Sequence, residues 1–119
     1  MQQDVLERVR ALCLALPEAT EKTEGRPAFQ VRGKTFAMYM DNHHDDGRVA
    51  LWCKAAPDAQ DVLVSADPER FFVPPYVGPQ GWVGVRLDGD NDWEELGAIV
   101  IDAYRLQAPK RLVALLDQR

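Results

Sequence analysis

The sequence predicts a two-layer α+β domain in which helices pack on one face of an antiparallel β-sheet. Two observations lead to this prediction. Apolar residues recur at helical spacing near both ends of the chain, and between these regions they alternate with the two-residue period of β-strands. The chain has 119 residues, the size of one ordinary domain, so we expect residues 1–119 to form a single domain around one core.

The N-terminal segment is predicted to be a helix over residues 4–16. Apolar residues recur within it at helical spacing, and Asp4 is a candidate N-cap. Pro17 ends this helix because a proline disfavours helical dihedral angles in the residue before it. The polar and acidic residues 18–26 that follow are interpreted as a loop.

A β-hairpin is predicted next. Phe29 and Val31 alternate with polar neighbours, and Arg32-Gly33-Lys34 supplies a turn that contains glycine. The second strand is expected to place Phe36, Met38 and Met40 on one face, and Ala37 and Tyr39 on the other.

The third strand is predicted over residues 48–54. Alternation divides it into a side with Val49, Leu51 and Cys53 and a side with Ala50, Trp52 and Lys54. Pro57 can open a short helix, in which Val62 and Leu63 are expected to be buried.

The remaining elements are an edge segment, a strand and two helices. Residues 70–76 are apolar and extended, and their two consecutive prolines confine them to a sheet edge or exclude them from the sheet. A strand is expected at residues 81–87. Asp92 then caps a helix that reaches Gln107, and Pro109 begins the last helix.

Composition limits the classes of partner. The net charge of −5 repels nucleic acid at long range, although a local basic patch can outweigh the total within a Debye length of about 8 Å. No segment approaches the ~18 apolar residues of a membrane span, and the N-terminus lacks the apolar stretch of a signal peptide. We therefore expect a cytoplasmic protein that does not associate with membranes.

The sequence has no pattern that indicates catalysis. Cys13 and Cys53 lie inside apolar runs, where a thiol is inert and a reducing compartment is indicated. The glycines form neither a phosphate-binding loop nor a dinucleotide fingerprint. We therefore expect no enzyme activity and no cofactor, and an unrecognised enzyme ranks last of three hypotheses on function. The segment His43-His44-Asp45-Asp46 offers metal-ligand chemistry, but its spacing matches no zinc or calcium pattern, so no metal site is predicted.

Several segments together resemble the MmcQ/YjbR-like family of bacterial proteins. They are the helix end at residues 15–17 (ALP), then residues 27–37 (PAFQVRGKTFA), 75–78 (PYVG), 81–83 (GWV), 87–88 (LD), 93–96 (WEEL), 104–105 (YR) and 108–111 (APKR). They span nearly the whole chain in the order of the family. The resemblance implies a double-wing α+β fold, likened to the frataxin-type sandwich, and a DNA-binding role. It brings no catalytic residues with it.

A nucleic-acid-binding role would use the basic residues of the sheet and of the last helix. These candidates are Arg26, Arg32, Lys34, Arg48, Lys54, Arg86, Lys110 and Arg111. Some of them are expected to share a solvent-exposed sheet face with Trp52 and Trp82, which would combine phosphate contacts with base stacking. The alternative is an ordinary solvated sheet face, on which charged residues are expected anyway.

A second hypothesis is a binding module for a small ligand or a protein partner. Its candidate residues are Trp52, Tyr76, Gly81 and Trp82. Glycines on both sides of the link let the backbone bend sharply, and the aromatic rings could line a pocket. The alternative is that the rings pack over the sheet edge with their polar tips in water.

Overall fold

The computed structural model describes residues 2–22, 24–41 and 47–117. Its elements, in chain order, are α1 (Gln2–Leu14), β1 (Ala19–Lys22), β2 (Ala28–Val31), β3 (Lys34–Asp41), β4 (Val49–Cys53), α2 (Ala59–Ala66), β5 (Phe71–Phe72), β6 (Val83–Arg86), α3 (Trp93–Gln107) and α4 (Lys110–Asp117). A short 3-10 turn, Gly78–Gln80, lies between β5 and β6. The predicted α+β class is confirmed.

The strands form one antiparallel sheet in the order β1-β2-β3-β4-β6-β5. The first four strands are neighbours both in the chain and in the sheet. β6 then pairs with β4, and β5 pairs with the outer side of β6. The segment with the two prolines therefore lies at a sheet edge, as its sequence predicts.

The main core lies between one face of the sheet and the helices. Val9 of α1, Leu51 of β4, Val100 of α3 and Leu112 of α4 are almost fully buried in one cluster. The alternation predicted for residues 49–53 is confirmed, since the odd-numbered ones belong to this core and Ala50 and Trp52 do not. Lys54, which was predicted on the Trp52 side, lies beyond the end of β4 and faces the helix side, beside Leu63 and Ile99.

Contacts between residues that are far apart in the sequence hold α3 on the sheet. The ring of Tyr104 meets the ring of Phe36 edge-on, with centroids 5.7 Å apart, and its hydroxyl donates a hydrogen bond to the Pro17 carbonyl at 2.8 Å. Gln107 donates from Nε2 to the Thr35 carbonyl at 2.9 Å. These contacts fix the C-terminal half of α3 against the β2–β3 hairpin and the connection between α1 and β1.

Two local predictions are confirmed. The hairpin turn consists of Arg32 and Gly33, whose φ angles of 51° and 79° are those of a type I′ turn. At the start of α3, the Asp92 side chain accepts a hydrogen bond from the Glu95 backbone N–H at 3.0 Å.

The interpretation of residues 18–26 as a loop is wrong in part, because they contain β1. Ala19 pairs with Val31 and Lys22 with Ala28. The strand is polar, and its half-buried Glu21 accepts two hydrogen bonds from Arg10 of α1, at 2.9 and 3.0 Å. An edge strand that faces a helix through an ion pair has no apolar alternation to reveal it.

The prediction for Phe36 is also wrong. The β2–β3 register shifts so that Phe29 lies opposite Ala37 while Gln30 lies opposite Thr35. Phe36 is the extra residue of this bulge, and it joins Ala37 in the helix-side core.

Val62, which was predicted to be buried, is 64% exposed. Helix α2 turns Leu63, not Val62, toward the core. Within the described residues, no helix is both long and apolar enough to cross a membrane.

Candidate functional site

The sheet face opposite the helices carries a second apolar cluster. Its members are Met40, Ala50, Trp52, Phe72 and Trp82, and we refer to them as the helix-free cluster. The prediction that Trp52 and Trp82 lie on a solvent-exposed face is wrong, because they are only 2% and 6% exposed. They do occupy the predicted side of the sheet, but the chain that follows β5 packs against them.

Close packing holds this cluster together. A Cβ atom placed on Gly84 would lie 2.4 Å from Cζ of Phe72, so the ring rests directly on the backbone of β6. Gln60 of α2 donates from Nε2 to the carbonyls of Gly78 and Trp82, at 2.9 and 2.6 Å. The two tryptophans are therefore structural and do not present ring faces to a ligand.

The other two aromatic-cluster candidates, Tyr76 and Gly81, lie in the connection between β5 and β6. Tyr76 is 69% exposed and has a φ angle of 67°, in the left-handed region. Gly81 has a φ angle of 89° and ends the 3-10 turn. Gly81 thus supplies the bend predicted for it, while the exposed Tyr76 is not a member of the helix-free cluster.

The candidate basic residues separate into two groups at opposite ends of the sheet. Arg26 precedes β2, Arg48 precedes β4, and Arg86 lies opposite Ala50, all at the end where β4 begins. At the other end are Arg32 and Lys34 of the hairpin turn, Lys54 after β4, and Lys110 and Arg111 of α4, of which Arg111 acts electrostatically on Glu18. The length of β3 separates the two groups by roughly 20 Å. The eight residues do not form one surface.

Three of these arginines are engaged with neighbours. Arg32 donates two hydrogen bonds to Glu18, at 2.6 and 3.1 Å, and lowers the pKa of that carboxyl. Arg86 likewise bonds to Asp88, at 3.3 and 3.1 Å, and lowers the pKa of Asp88. The guanidinium carbon of Arg48 lies 4.1 Å from the centroid of the Phe72 ring. Part of their charge is thus already balanced within the protein.

A cavity of about 300 Å³ lies on the helix side, between α2, α3 and the ends of β4 and β6. We call it the α2–α3 cavity. It is lined by Lys54, Ala55 and Ala56 after β4, Ala59 and Leu63 of α2, Val83 of β6, and Ile99, Asp102, Arg105 and Leu106 of α3. Its surface is mostly apolar, and its three charged side chains are those of Lys54, Asp102 and Arg105.

The walls of the cavity are fixed by hydrogen bonds outside it. The Lys54 backbone N–H donates to the Phe36 carbonyl at 3.1 Å, which holds the start of the β4–α2 connection. Gln60 ties α2 to the start of the 3-10 turn, and Gln107 ties α3 to the hairpin. An apolar cavity with a few placed polar groups and preformed walls is typical of small-molecule sites.

The three charged side chains at the cavity differ in whether they form an ion pair. Arg105 donates to Asp117 of α4 at 2.8 Å, so its charge is largely balanced. Among the residues that the structure describes, Lys54 and Asp102 form no ion pair. One cation and one anion are therefore available at this site.

Sequence reasoning missed this cavity. Of its lining residues, only Lys54 was a candidate, and for nucleic acid. A signal was present: Ala55 and Ala56 follow β4 and Ala59 begins α2, and these small side chains leave space beside Leu63. What the sequence could not indicate is that α3 closes the other side.

Reactive cysteines and metal ligands are not found in the described part of the chain. Cys13 and Cys53 are buried and reduced, and burial raises the pKa of Cys13 to about 12 and that of Cys53 well above its usual value. No group of three or more potential metal ligands occurs among residues 2–22, 24–41 and 47–117. The segment His43-His44-Asp45-Asp46 lies outside the described residues.

Comparison with known proteins gives the family and the fold. The sequence profile of the YjbR family matches residues 14–106. The crystal structure of the Deinococcus radiodurans protein DR2400, which has a DUF419 domain, is similar to this chain with a TM-score of 0.71 and 24% identity. That similarity covers 85% of this chain and 76% of DR2400. No match was found among curated proteins.

The structural similarity supports the same sandwich of a sheet and helices, and the profile match extends over most of the chain. This protein belongs to the YjbR family.

Proposed function

We propose that this protein is a binding module for a small amphipathic molecule and that the α2–α3 cavity is its site. The observation that carries the proposal is an apolar cavity of about 300 Å³ with charged side chains along its lining. Ligand pockets of proteins begin at roughly this volume and combine apolar walls with a few placed polar groups. The buried tryptophans are not part of the proposed site.

The first test is an NMR titration with 3-methylbutan-1-ol, a small neutral probe, and with other small amphipathic molecules. We expect concentration-dependent shifts of the backbone amides of Ala55, Ala59 and Leu63. Ala59→Leu should abolish them, because the larger side chain fills the cavity. Ala98→Leu is the matched control, since Ala98 is exposed on α3 and does not line the cavity.

Two results would contradict the proposal. One is the absence of localised shifts with every probe in the unmodified protein. The other is shifts that persist unchanged in Ala59→Leu while the spectrum shows an intact fold.

DNA binding is the second candidate function. It is supported by Arg26, Arg48 and Arg86, which lie at the same end of the sheet, with the exposed Lys22 of β1 also at that end. The net charge of −5 opposes it at long range, and the partial neutralisation of Arg86 by Asp88 opposes it locally. It therefore ranks below the small-ligand proposal.

This candidate is tested by fluorescence anisotropy of labelled duplex and single-stranded DNA at about 50 and 200 mM salt. If DNA binds through this group, Arg26→Ala, Arg48→Ala and Arg86→Ala should each weaken binding and flatten its salt dependence. Lys110→Ala and Arg111→Ala, at the opposite end, should change the affinity little. Absence of binding at the lower salt would remove DNA from the candidate functions.

The proposal includes a cytoplasmic location and binding without catalysis. Two free, buried cysteines suit a reducing compartment. The cavity lining contains neither a serine, threonine or cysteine nucleophile nor a histidine, which suits a site that binds without transforming its ligand.

A further inference from the structure

We propose that the ligand of the α2–α3 cavity is a zwitterion, namely a free α-amino acid with an apolar side chain. This inference rests on the proposed function and adds the chemical class of the molecule. In the proposed pose the α-carboxylate pairs with Lys54, the α-ammonium pairs with Asp102, and the side chain occupies the apolar part of the cavity.

The size of the cavity limits the ligand to a small molecule. A cavity of about 300 Å³ lies at the lower end of the range found for small-molecule sites. That volume suits a molecule of the size of one amino acid.

The apolar lining comes from all three sides of the cavity. Leu63 reaches it from α2, Val83 from β6, and Ile99 and Leu106 from one face of α3. Val83 is fully buried at this site, whereas Leu106 is exposed. A branched aliphatic side chain placed between them would remove both its own surface and part of theirs from water.

The charges select the head group. Lys54 and Asp102 carry opposite charges and form no ion pair within the described residues, while Arg105 is held by Asp117. A simple carboxylate would gain from Lys54 but would be repelled by Asp102, and a simple amine would meet the reverse. A molecule that carries both charges, on two groups attached to one carbon, can place each charge beside its opposite.

The experiment compares four molecules that share one aliphatic tail. L-Leucine carries both charges, 4-methylpentanoate only the carboxylate, 3-methylbutylamine only the ammonium, and 3-methylbutan-1-ol neither charge. Dissociation constants are measured by NMR titration at pH 7. We expect leucine to bind at least about tenfold more tightly than each of the other three, since every tenfold corresponds to about 1.4 kcal/mol.

Two variants assign the charges. Asp102→Asn should reduce leucine affinity to about that of 4-methylpentanoate, whose own affinity should stay the same or rise. Lys54→Met should lower the affinity for leucine and for 4-methylpentanoate and leave the affinity for the alcohol unchanged. Glu94→Gln, an exposed change in the first turn of α3, is the control and should alter none of the four dissociation constants.

The outcomes separate this inference from the proposed function. If the alcohol or 4-methylpentanoate binds as tightly as leucine, the cavity is a binding site but the zwitterion inference is wrong. If leucine binds best but Asp102→Asn does not change its affinity, the assigned pose is wrong. If none of the four molecules shifts the cavity amides, the proposed function fails together with the inference.

Discussion

Gly84 and Gly78 are the positions where side-chain size is most tightly limited. At Gly84 the Phe72 ring occupies the space of a Cβ atom, and at Gly78 a Cβ atom would lie 2.6 Å from Cγ1 of Val73. Neither glycine is needed for a positive φ angle. Both are therefore explained by close packing of the chain that covers the helix-free cluster.

Gly84→Ala should destabilise the fold, because the Phe72 ring must move off β6 to admit a methyl group. The expected loss is about 1–3 kcal/mol of unfolding free energy, the usual range for overpacking. Urea denaturation followed by far-UV circular dichroism measures it. Gly89→Ala is the matched control, since nothing lies within 4 Å of a Cβ atom there. An equal loss in both variants would contradict the packing explanation.

The Arg86–Asp88 pair predicts a specific dependence of stability on pH. Hydrogen bonds from Arg86 lower the pKa of Asp88 in the folded state. The pair therefore stabilises the fold above the unfolded pKa of about 3.9, and this stabilisation is lost as the pH falls through the lower, folded value. Asp88→Asn should remove that part of the pH dependence of the unfolding free energy. Arg86→Gln should remove the same part, and an additive effect of the two changes would contradict their coupling.

Among the elements, α2 has a role beyond its own size. Its eight residues include no fully buried side chain, yet Gln60 bonds to two carbonyls of the segment that leads into β6. The helix thereby holds the cover of the helix-free cluster and forms one wall of the α2–α3 cavity. The position of α2 therefore affects the structure on both faces of the sheet.

Gln60→Ala should loosen this segment, because the Gly78 and Trp82 carbonyls lose their donor. We expect a loss of about 1–3 kcal/mol, corresponding to two hydrogen bonds. Hydrogen exchange of the Gly81 and Trp82 amides should also accelerate. Gln80→Ala, an exposed change in the same segment, serves as the control. Unchanged exchange in Gln60→Ala would show that packing alone holds the segment.

A short continuous apolar run was sufficient to predict β4, because both faces of this strand are buried. It could not reveal β1, whose polar residues are used in an ion pair, nor the bulge that rotates Phe36 into the core. For Trp52, alternation predicted the side of the sheet but not what covers that side. Such cover comes from residues 20 to 30 positions away, and strand periodicity contains no information about it.

The candidate site illustrates the same limit. The α2–α3 cavity joins a strand end, a short helix and a long helix that are separated along the chain. Each contributes residues that are unremarkable alone, such as Ala59 and Ile99. A cavity formed only by tertiary packing can be recognised once the elements are placed in space. The backbone bend at Gly81, by contrast, could be predicted from the local sequence.

At the scale of the whole molecule, one core connects α1 with the centre of the sheet. Cys13 of α1 and Cys53 of β4 both belong to this core and are buried. Their thiols should become accessible only when α1 and the sheet separate. They therefore report on cooperative unfolding of the whole domain.

Both thiols should react with a disulfide reagent in the same denaturant transition, and neither should react at an appreciable rate in the native protein at pH 8. The physical reason is that burial raises their pKa values and excludes the reagent. Peptide mapping of the labelled protein measures the two rates separately. If Cys13 reacted at much lower denaturant concentration than Cys53, α1 would detach independently of the sheet.

The order of the elements also has a consequence for synthesis on the ribosome. The first four strands form a contiguous meander, but its apolar face is covered by α3, whose Tyr104 and Gln107 bond to Pro17 and Thr35 from 87 and 72 residues away. A nascent chain that has produced β1 to β4 therefore exposes Phe29, Leu51 and their neighbours until α3 has emerged. Folding of this domain should wait for α3, and until then the growing chain should be a client of chaperones that bind exposed apolar strands.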